Sequence, residues 1–526
     1  MSWTRPSLGS LQTNGLLLQR AKLVLGLLAG CTGDIADSPL TAAPFTPQVG
    51  QVAVALADGS GFADERGGGV FVSADGKAVR LRLDGSAGRL DSHPGNTKPP
   101  GKVLKVYNAG PFVALVAAEN GLYVAESGWL IEPSWRDQLD AAGIVAVAPD
   151  LDGVTWVAHQ KGLFRIEGGL LSELKVEGTS LLGLSAVAVA PAPDSGRAVW
   201  FAQGTQLSLA KQTARSTYEV TDGGITKSEL SGGIRALAGI TASPTSPGEL
   251  WLITDEKLYQ QSGGSWRSRA LDEAPSALLA SGRFAWLRAG DTLYRYRADD
   301  QRWSRMEGLT AVPSLLAAEP GGSLWVRLGE QTATVAPGVL PRLLGLFEGV
   351  RVYDTELPVR AQFPAATAPA SVSFVLDDGE RVERKLEEAL PGEGGASTLD
   401  FAWGGFDVAG REKPYSLVGF TRGLHTLTVE AHFAEGDQTR ALHFEFRGGM
   451  SEQLSFAKDV KPIAEARCGK CHDTGPGHVL STFEQWVAEK DKLVLALVEQ
   501  RMPADGPLDP TQLQTIQRWA FGGAAP

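Results

Sequence analysis

The chain has three cysteines. Two of them lie in the run Cys468-Gly469-Lys470-Cys471-His472. A Cys-x-x-Cys-His run reads as covalent attachment of one haem c. One helical turn sets both sulfurs under the two vinyl groups of the porphyrin, where they form thioethers. The ring of His472 then faces the iron from the proximal side. Zinc asks for four ligands, which two cysteines and one adjacent histidine do not supply. No strand–helix–strand pattern surrounds the pair, as a thioredoxin-like dithiol needs. For the distal iron position, Met502 is the only methionine after the motif. A thioether ligand raises the reduction potential and suits electron transfer, and Pro503 restricts Met502 to extended backbone. Core packing is a second reading of Met502. His478 is a rival ligand, six residues beyond His472 on a short loop.

These residues need elements to hold them. Phe456-Ala457-Lys458-Asp459-Val460-Lys461-Pro462-Ile463 leads into the motif. Asp509-Pro510 predicts a helix start, with proline in the first turn. Leu513, Ile516 and Trp519 then fall on one apolar face. Together with the motif, these flanks resemble a compact single-haem class of cytochrome c, spanning 451–526. The resemblance implies one-electron transfer, with the iron held between His472 and Met502 and no open coordination position. The segment carries eight basic and ten acidic residues, so it lacks a strongly basic face to steer it to an acidic partner.

The third cysteine, Cys31, follows Arg20, Lys22, the apolar run Leu23 to Leu28, Ala29 and Gly30. Leu28-Ala29-Gly30-Cys31 resembles the lipobox of bacterial lipoproteins. The resemblance implies a signal peptide over 1–30 that is removed and a lipid chain on Cys31. The apolar run is too short to span a bilayer, which takes about 20 residues. Thr32, rather than Asp, favours the outer membrane, facing the periplasm or the cell surface. Residues 31–46, rich in Pro, Ala and Thr, read as a flexible tether. Thioether haem is attached outside the cytoplasm, so two independent motifs point to one compartment.

Between these ends runs a repeat. Phe71, Leu115, Trp156, Trp200, Trp251, Trp286 and Trp325 each precede by six residues the opening of a further short strand, as in Gly121-Leu122-Tyr123, Gly162-Leu163-Phe164-Arg165 and Thr292-Leu293-Tyr294. The spacing averages roughly 43 residues, and each unit alternates apolar residues with Gly or Asp turns. A single small sheet cannot bury both faces, so the units must stack. Four-stranded units of this length fit the blades of a β-propeller. The repeat resembles propeller repeats of two-component sensor proteins, over 47–345. The anchors read as packing between blades. His93 and His159 read as solvated loop and turn histidines. Neither the docking motifs of quinone-binding propellers nor a convergent catalytic set is visible.

Residues 346–449 change character. Val372 to Leu376 and Arg381 to Lys385 flank Asp378-Gly379, a hairpin signal. Leu427, Val429, Ala431 and Phe433 share one face, and Leu442, Phe444 and Phe446 repeat it. The segment resembles bacterial immunoglobulin-like sandwiches and has their size. His425, His432 and His443 read as decoration of an outer sheet face rather than a metal cluster.

Composition bounds the rest. The chain has 526 residues, 43% hydrophobic and 21% charged, enough for several cores and too apolar for wholesale disorder. With 63 glycines and 30 prolines, it is rich in turns. A net charge of −11, without basic clusters, argues against nucleic-acid binding. Three cysteines exclude a disulfide scaffold. The expected fold is mainly β: a seven-bladed β-propeller, an Ig-like β-sandwich and a small all-α cytochrome c domain. The expected function is haem electron transfer by a membrane-anchored lipoprotein, with the propeller as docking platform for an unidentified redox partner protein. A propeller dehydrogenase feeding its own haem, and a surface scaffold or redox sensor, are the alternatives.

Overall fold

The computed structural model describes residues 37–52, 54–63, 68–81, 87–110, 113–126, 129–150, 154–167, 169–176, 180–192, 197–214, 217–240, 248–336, 341–352, 354–392, 398–418, 420–434, 436–447, 454–469, 480–498, 502–503 and 508–521. The chain is mostly β. From 37 to 336 its strands pair into seven sheets, each built on an antiparallel run of neighbouring strands. The first begins at Leu56–Ala63, the second at Val103–Asn108, the third at Ile144–Pro149 and the fourth at Ala186–Pro191. The fifth begins at Ala236–Ile240, the sixth at Pro275–Ser281 and the seventh at Pro313–Ala318. The opening strand of each sheet touches that of the next, and the seventh touches the first. The arrangement is propeller-like, and it closes on itself. The seventh sheet takes its last strand from the other end of the chain: Gln48–Val52 pairs antiparallel with Gln331–Ala336.

Each anchor lies on the second strand of its sheet. Phe71, Leu115, Trp156, Trp200, Trp251, Trp286 and Trp325 are all at most 3% exposed. Each packs in a core between sheets, as Trp156 does with Leu184 and Val187 of the fourth. In the second and third sheets a glycine six residues after the anchor opens the third strand. Gly121 and Gly162 take φ of +138° and +150° there, a conformation in which a side chain would be strained.

Residues 37–45, expected within a flexible tether, form two short strands instead. Asp37–Pro39 pairs parallel with Ser265–Ala270, and Ala42–Phe45 with Arg302–Met306. The outer edges of the fifth and sixth sheets offer unpaired backbone groups, and an extended Pro- and Ala-rich segment satisfies them. Pro39 and Pro44 are tolerated because an edge strand bonds on one side only. Cys31 and the rest of 1–36 lie outside the described residues.

Two further sheets follow from 342 to 446. One has the order Arg342–Leu344, Arg360–Pro364, Thr398–Ala402, Leu390–Pro391. The other has Arg351–Val352, Gly436–Phe446, Gly423–Phe433, Ser371–Leu376, Arg381–Lys385. A single core joins them, including Val359, Phe363, Phe374, Phe401, Leu427, Val429, Leu442 and Phe444. It also holds Trp403, 1% exposed and stacked 3.7 Å from the Tyr415 ring. Trp403 lies in a turn-rich segment without alternation, which gives its burial no mark in the sequence.

The C-terminal part is helical: α1 (Lys461–Arg467), α2 (Phe483–Val498) and α3 (Pro510–Phe521). A π-turn, Phe456–Val460, leads into α1, and the Ser455 side chain caps it by accepting from the Lys458 N–H. The Asp459 carboxylate accepts the Ser455 N–H at 2.9 Å. At α3 the Asp509 carboxylate accepts the Gln512 N–H at 2.9 Å, the cap that the Asp-Pro start predicts. No helix among the described residues is long and apolar enough to cross a membrane.

Candidate functional site

Cys468 stands at the C-terminal end of α1, where its N–H donates to the Ala464 carbonyl at 2.8 Å. It is 8% exposed and lies in the apolar core of the helical segment. That core collects Phe456 and Val460 before α1, Trp486, Val494 and Leu497 from α2, and Ile516 and Trp519 from α3. Three aromatic rings surround Phe456: Trp519 at 5.5 Å, Trp486 at 5.7 Å and Phe483 at 5.7 Å between centroids. The Trp486 indole donates to the Leu480 carbonyl at 2.7 Å, pinning the chain just before α2. Cys471, His472 and His478 lie outside the described residues.

Met502 follows α2, and its N–H donates to the Ala496 carbonyl at 3.3 Å. Its side chain is 38% exposed and stays out of the apolar core. Packing therefore does not explain it.

The two expected donors that are described, Cys468 and Met502, stand in surroundings compatible with a haem c. A thiol at the end of a helix, facing an apolar and aromatic core, suits a thioether to a flat hydrophobic macrocycle. A thioether side chain outside that core is available as a ligand. When bound, such a haem supplies a one-electron ferric–ferrous couple.

The remaining histidines have separate partners. His93 Nδ1 accepts the Gly95 N–H at 3.1 Å, in a connection as expected. His159 differs from expectation. It is fully buried at the end of its strand, beside Asp140, and its Nδ1 accepts the Lys161 N–H at 3.0 Å. The short helical turn 141–143 covers it. His425 and His443, expected on an outer face, are 5% and 3% exposed. His425 shares the inward parity of Leu427 and Val429, and its Nδ1 meets Asp377 at 2.7 Å. His443 points outward, but Glu348 and the sixth sheet cover it: Nδ1 lies 3.0 Å from Glu348 and Nε2 3.6 Å from Asp299. His432, half-buried, pairs with Asp437 at 2.9 Å.

Two buried polar clusters escaped the sequence reading, since nothing in their spacing marks them. In the fifth sheet Glu249, 1% exposed, accepts from Trp251 Nε1 at 2.9 Å, Gln260 Nε2 at 2.9 Å and Tyr296 Oη at 2.8 Å. Burial holds its carboxyl above the usual range, and the three donors oppose this. In the sandwich Arg360 meets Asp400 at 2.8 Å and Glu412 at 3.2 Å. Burial pushes Glu412 up to about 7, against the pull of Arg360 and with the help of Asp400.

No family model matches the chain, and no curated protein does. Among solved structures it is similar to a streptogramin B lyase, at 13% identity and a TM-score of 0.40, over 55% of this chain and 96% of that one. It is also similar to the extracellular domain of a hybrid two-component system from B. thetaiotaomicron, at 11% identity and a TM-score of 0.41, over 77% of this chain and 60% of that one. The fold described above follows from strand pairing alone.

Proposed function

We propose that this protein is a membrane-anchored c-type cytochrome lipoprotein that transfers single electrons. In this reading 47–345 is a seven-bladed β-propeller, 346–449 an Ig-like sandwich and 451–526 a cytochrome c domain. Cys468 and Cys471 bind the haem covalently, and His472 and Met502 hold its iron. Cys31 carries the lipid that fixes the chain to the outer membrane. The observation that carries the reading is the Cys468-Gly-Lys-Cys471-His472 run, with Cys468 set in an aromatic and apolar core. That core excludes water from one side of the attachment point. The Trp486–Leu480 hydrogen bond orients the chain just before α2. The ring of sheets offers a broad surface for a redox partner protein.

The test is expression of the full chain in a host that matures c-type cytochromes. The expected result is a haem that survives denaturation and organic extraction, with a mass increase of one haem on the peptide containing 468–472. Cys468→Ala with Cys471→Ala should abolish that increase. A full chain that stays colourless under those conditions overturns the proposal. Intact mass should also show a chain starting at an acylated Cys31, and a mature chain with an unmodified start removes the anchor from the reading.

A further inference from the structure

The guanidinium of Arg295 is a buried cation in the ring of sheets that Asp300 attracts, but two of its nitrogens have no hydrogen-bond acceptor among the described residues. It lies on the third strand of the sixth sheet, Thr292–Arg297, directly across from Trp286. Leu293, on the same face of that strand, packs with Trp286 against Leu324 and Val326 of the seventh sheet. Arg295 therefore points between the two sheets. It is 8% exposed, and its Nε and Nη1 are buried without a hydrogen-bond partner among the described residues. The Trp286 Nε1 is buried and unpartnered in the same way. The rings of Phe45, Phe284 and Trp286 stand 4.8, 5.9 and 5.9 Å from the guanidinium carbon. Desolvation, and then the Arg297 charge, pushes Arg295 down to about 10, against the opposing pull of Asp300, which leaves it cationic at neutral pH.

The repeat supplies an internal control. In the third sheet Trp156 faces Arg165 in the same register. There Glu167, two residues on, answers the charge at 2.6 Å, although Arg165 Nε and Trp156 Nε1 also lack partners. In the fifth sheet Trp251 faces Gln260, and Glu249, two residues before the tryptophan, answers both donors. The sixth sheet has Arg297 where the third has Glu167. It has Phe284 where the fifth has Glu249. Arg297 turns away to pair with Asp300. Both positions that hold an acid elsewhere are filled by residues that cannot accept. Buried charged donors left unanswered are costly.

We propose that the missing hydrogen-bond acceptor comes from outside the chain: Arg295 and the Trp286 indole form a binding site for a small oxyanion, a carboxylate or phosphate group, between the sixth and seventh sheets. The planar donor fork of Arg matches such oxygens, and the aromatic walls keep water from competing. The site is independent of the haem reading.

The test is thermal unfolding of the full chain in inorganic phosphate, acetate or chloride at matched ionic strength. A ligand of the folded state raises the midpoint with the logarithm of its concentration. The expected result is a rise with phosphate or acetate beyond that with chloride, with the more effective anion naming the source. The rise should vanish in Arg295→Met and persist in Arg165→Met. Should Arg295→Met fail to fold, Trp286→Phe keeps the ring and removes one donor, and should weaken the anion roughly five-fold. No rise beyond chloride, or an undiminished rise in Arg295→Met or Trp286→Phe, overturns the proposal.

Discussion

At the scale of single residues, position relative to the core divides the candidates. Cys468 is in the core and Met502 is outside it. If Cys468 and Cys471 attach the haem as proposed, changing Met502 to Ala should leave it attached. The change should lower the potential and let carbon monoxide bind readily. An unchanged spectrum in this variant, with a changed one in His478→Ala, gives the ligand role to His478. Glu412 allows a different test. Its carboxyl is raised in the folded chain, to about 7 against an ordinary 4.5. The folded state thus holds this proton more tightly than the unfolded one. Its contribution is fully present below about pH 4.5 and is lost as pH rises through about 7. Wild type should lose stability relative to Glu412→Gln between pH 5 and pH 8, read as a difference in unfolding midpoints. A pH-independent difference removes Glu412 as the titrating group. The proposed haem motif is read from local spacing alone. Glu412 was not legible in the sequence, because its partners Arg360 and Asp400 come from strands brought together only by pairing.

At the scale of the element, the anchors explain why short strands stack. Trp200 is fully buried among Ala186, Ala188, Leu207, Leu250 and Leu252, so it packs the fourth sheet on the fifth. Its indole also donates to the Pro191 carbonyl at 3.3 Å. Trp200→Ala should destabilise the chain by about 3–5 kcal/mol, measured by denaturant unfolding. A loss under about 1 kcal/mol means that the neighbouring sheets collapse into the cavity, which closely packed cores resist. The repeat was legible because one large residue recurs on the same strand of every sheet. The strands at 37–45 were not. Pro39 and Pro44 argue against strands in general, and only the exposed edges of the fifth and sixth sheets make an exception for them. The parity of His425 was misjudged for a related reason. Alternation from Leu427 and Val429 runs straight through it, and its pairing with Asp377 makes an inward histidine tolerable.

At the scale of the whole molecule, buried polar groups join the ring of sheets to the sandwich. Arg440 Nη1 donates to the Pro341 carbonyl at 2.7 Å. His443 is held by Glu348 through both its backbone N–H, at 2.9 Å, and its ring. On its other side stands Asp299 of the sixth sheet, itself 2.9 Å from Arg283. Glu348 therefore organises the junction. It fixes the histidine that faces the ring, and its own side chain is close against Gly282 in the turn between the first two strands of the sixth sheet. Burying such a network is costly unless every member is answered. Removing Glu348 leaves the His443 N–H without its acceptor in a dry place, a loss of about 1–3 kcal/mol. Because the loss falls on the junction, Glu348→Ala should do more than lower the midpoint. It should also separate the unfolding of the sandwich from that of the ring, seen by calorimetry as a single transition splitting into two. Glu348→Gln, which keeps an acceptor oxygen, should restore most of the single transition. If the alanine variant unfolds at the wild-type midpoint with an unchanged profile, the two parts are joined by something other than this network.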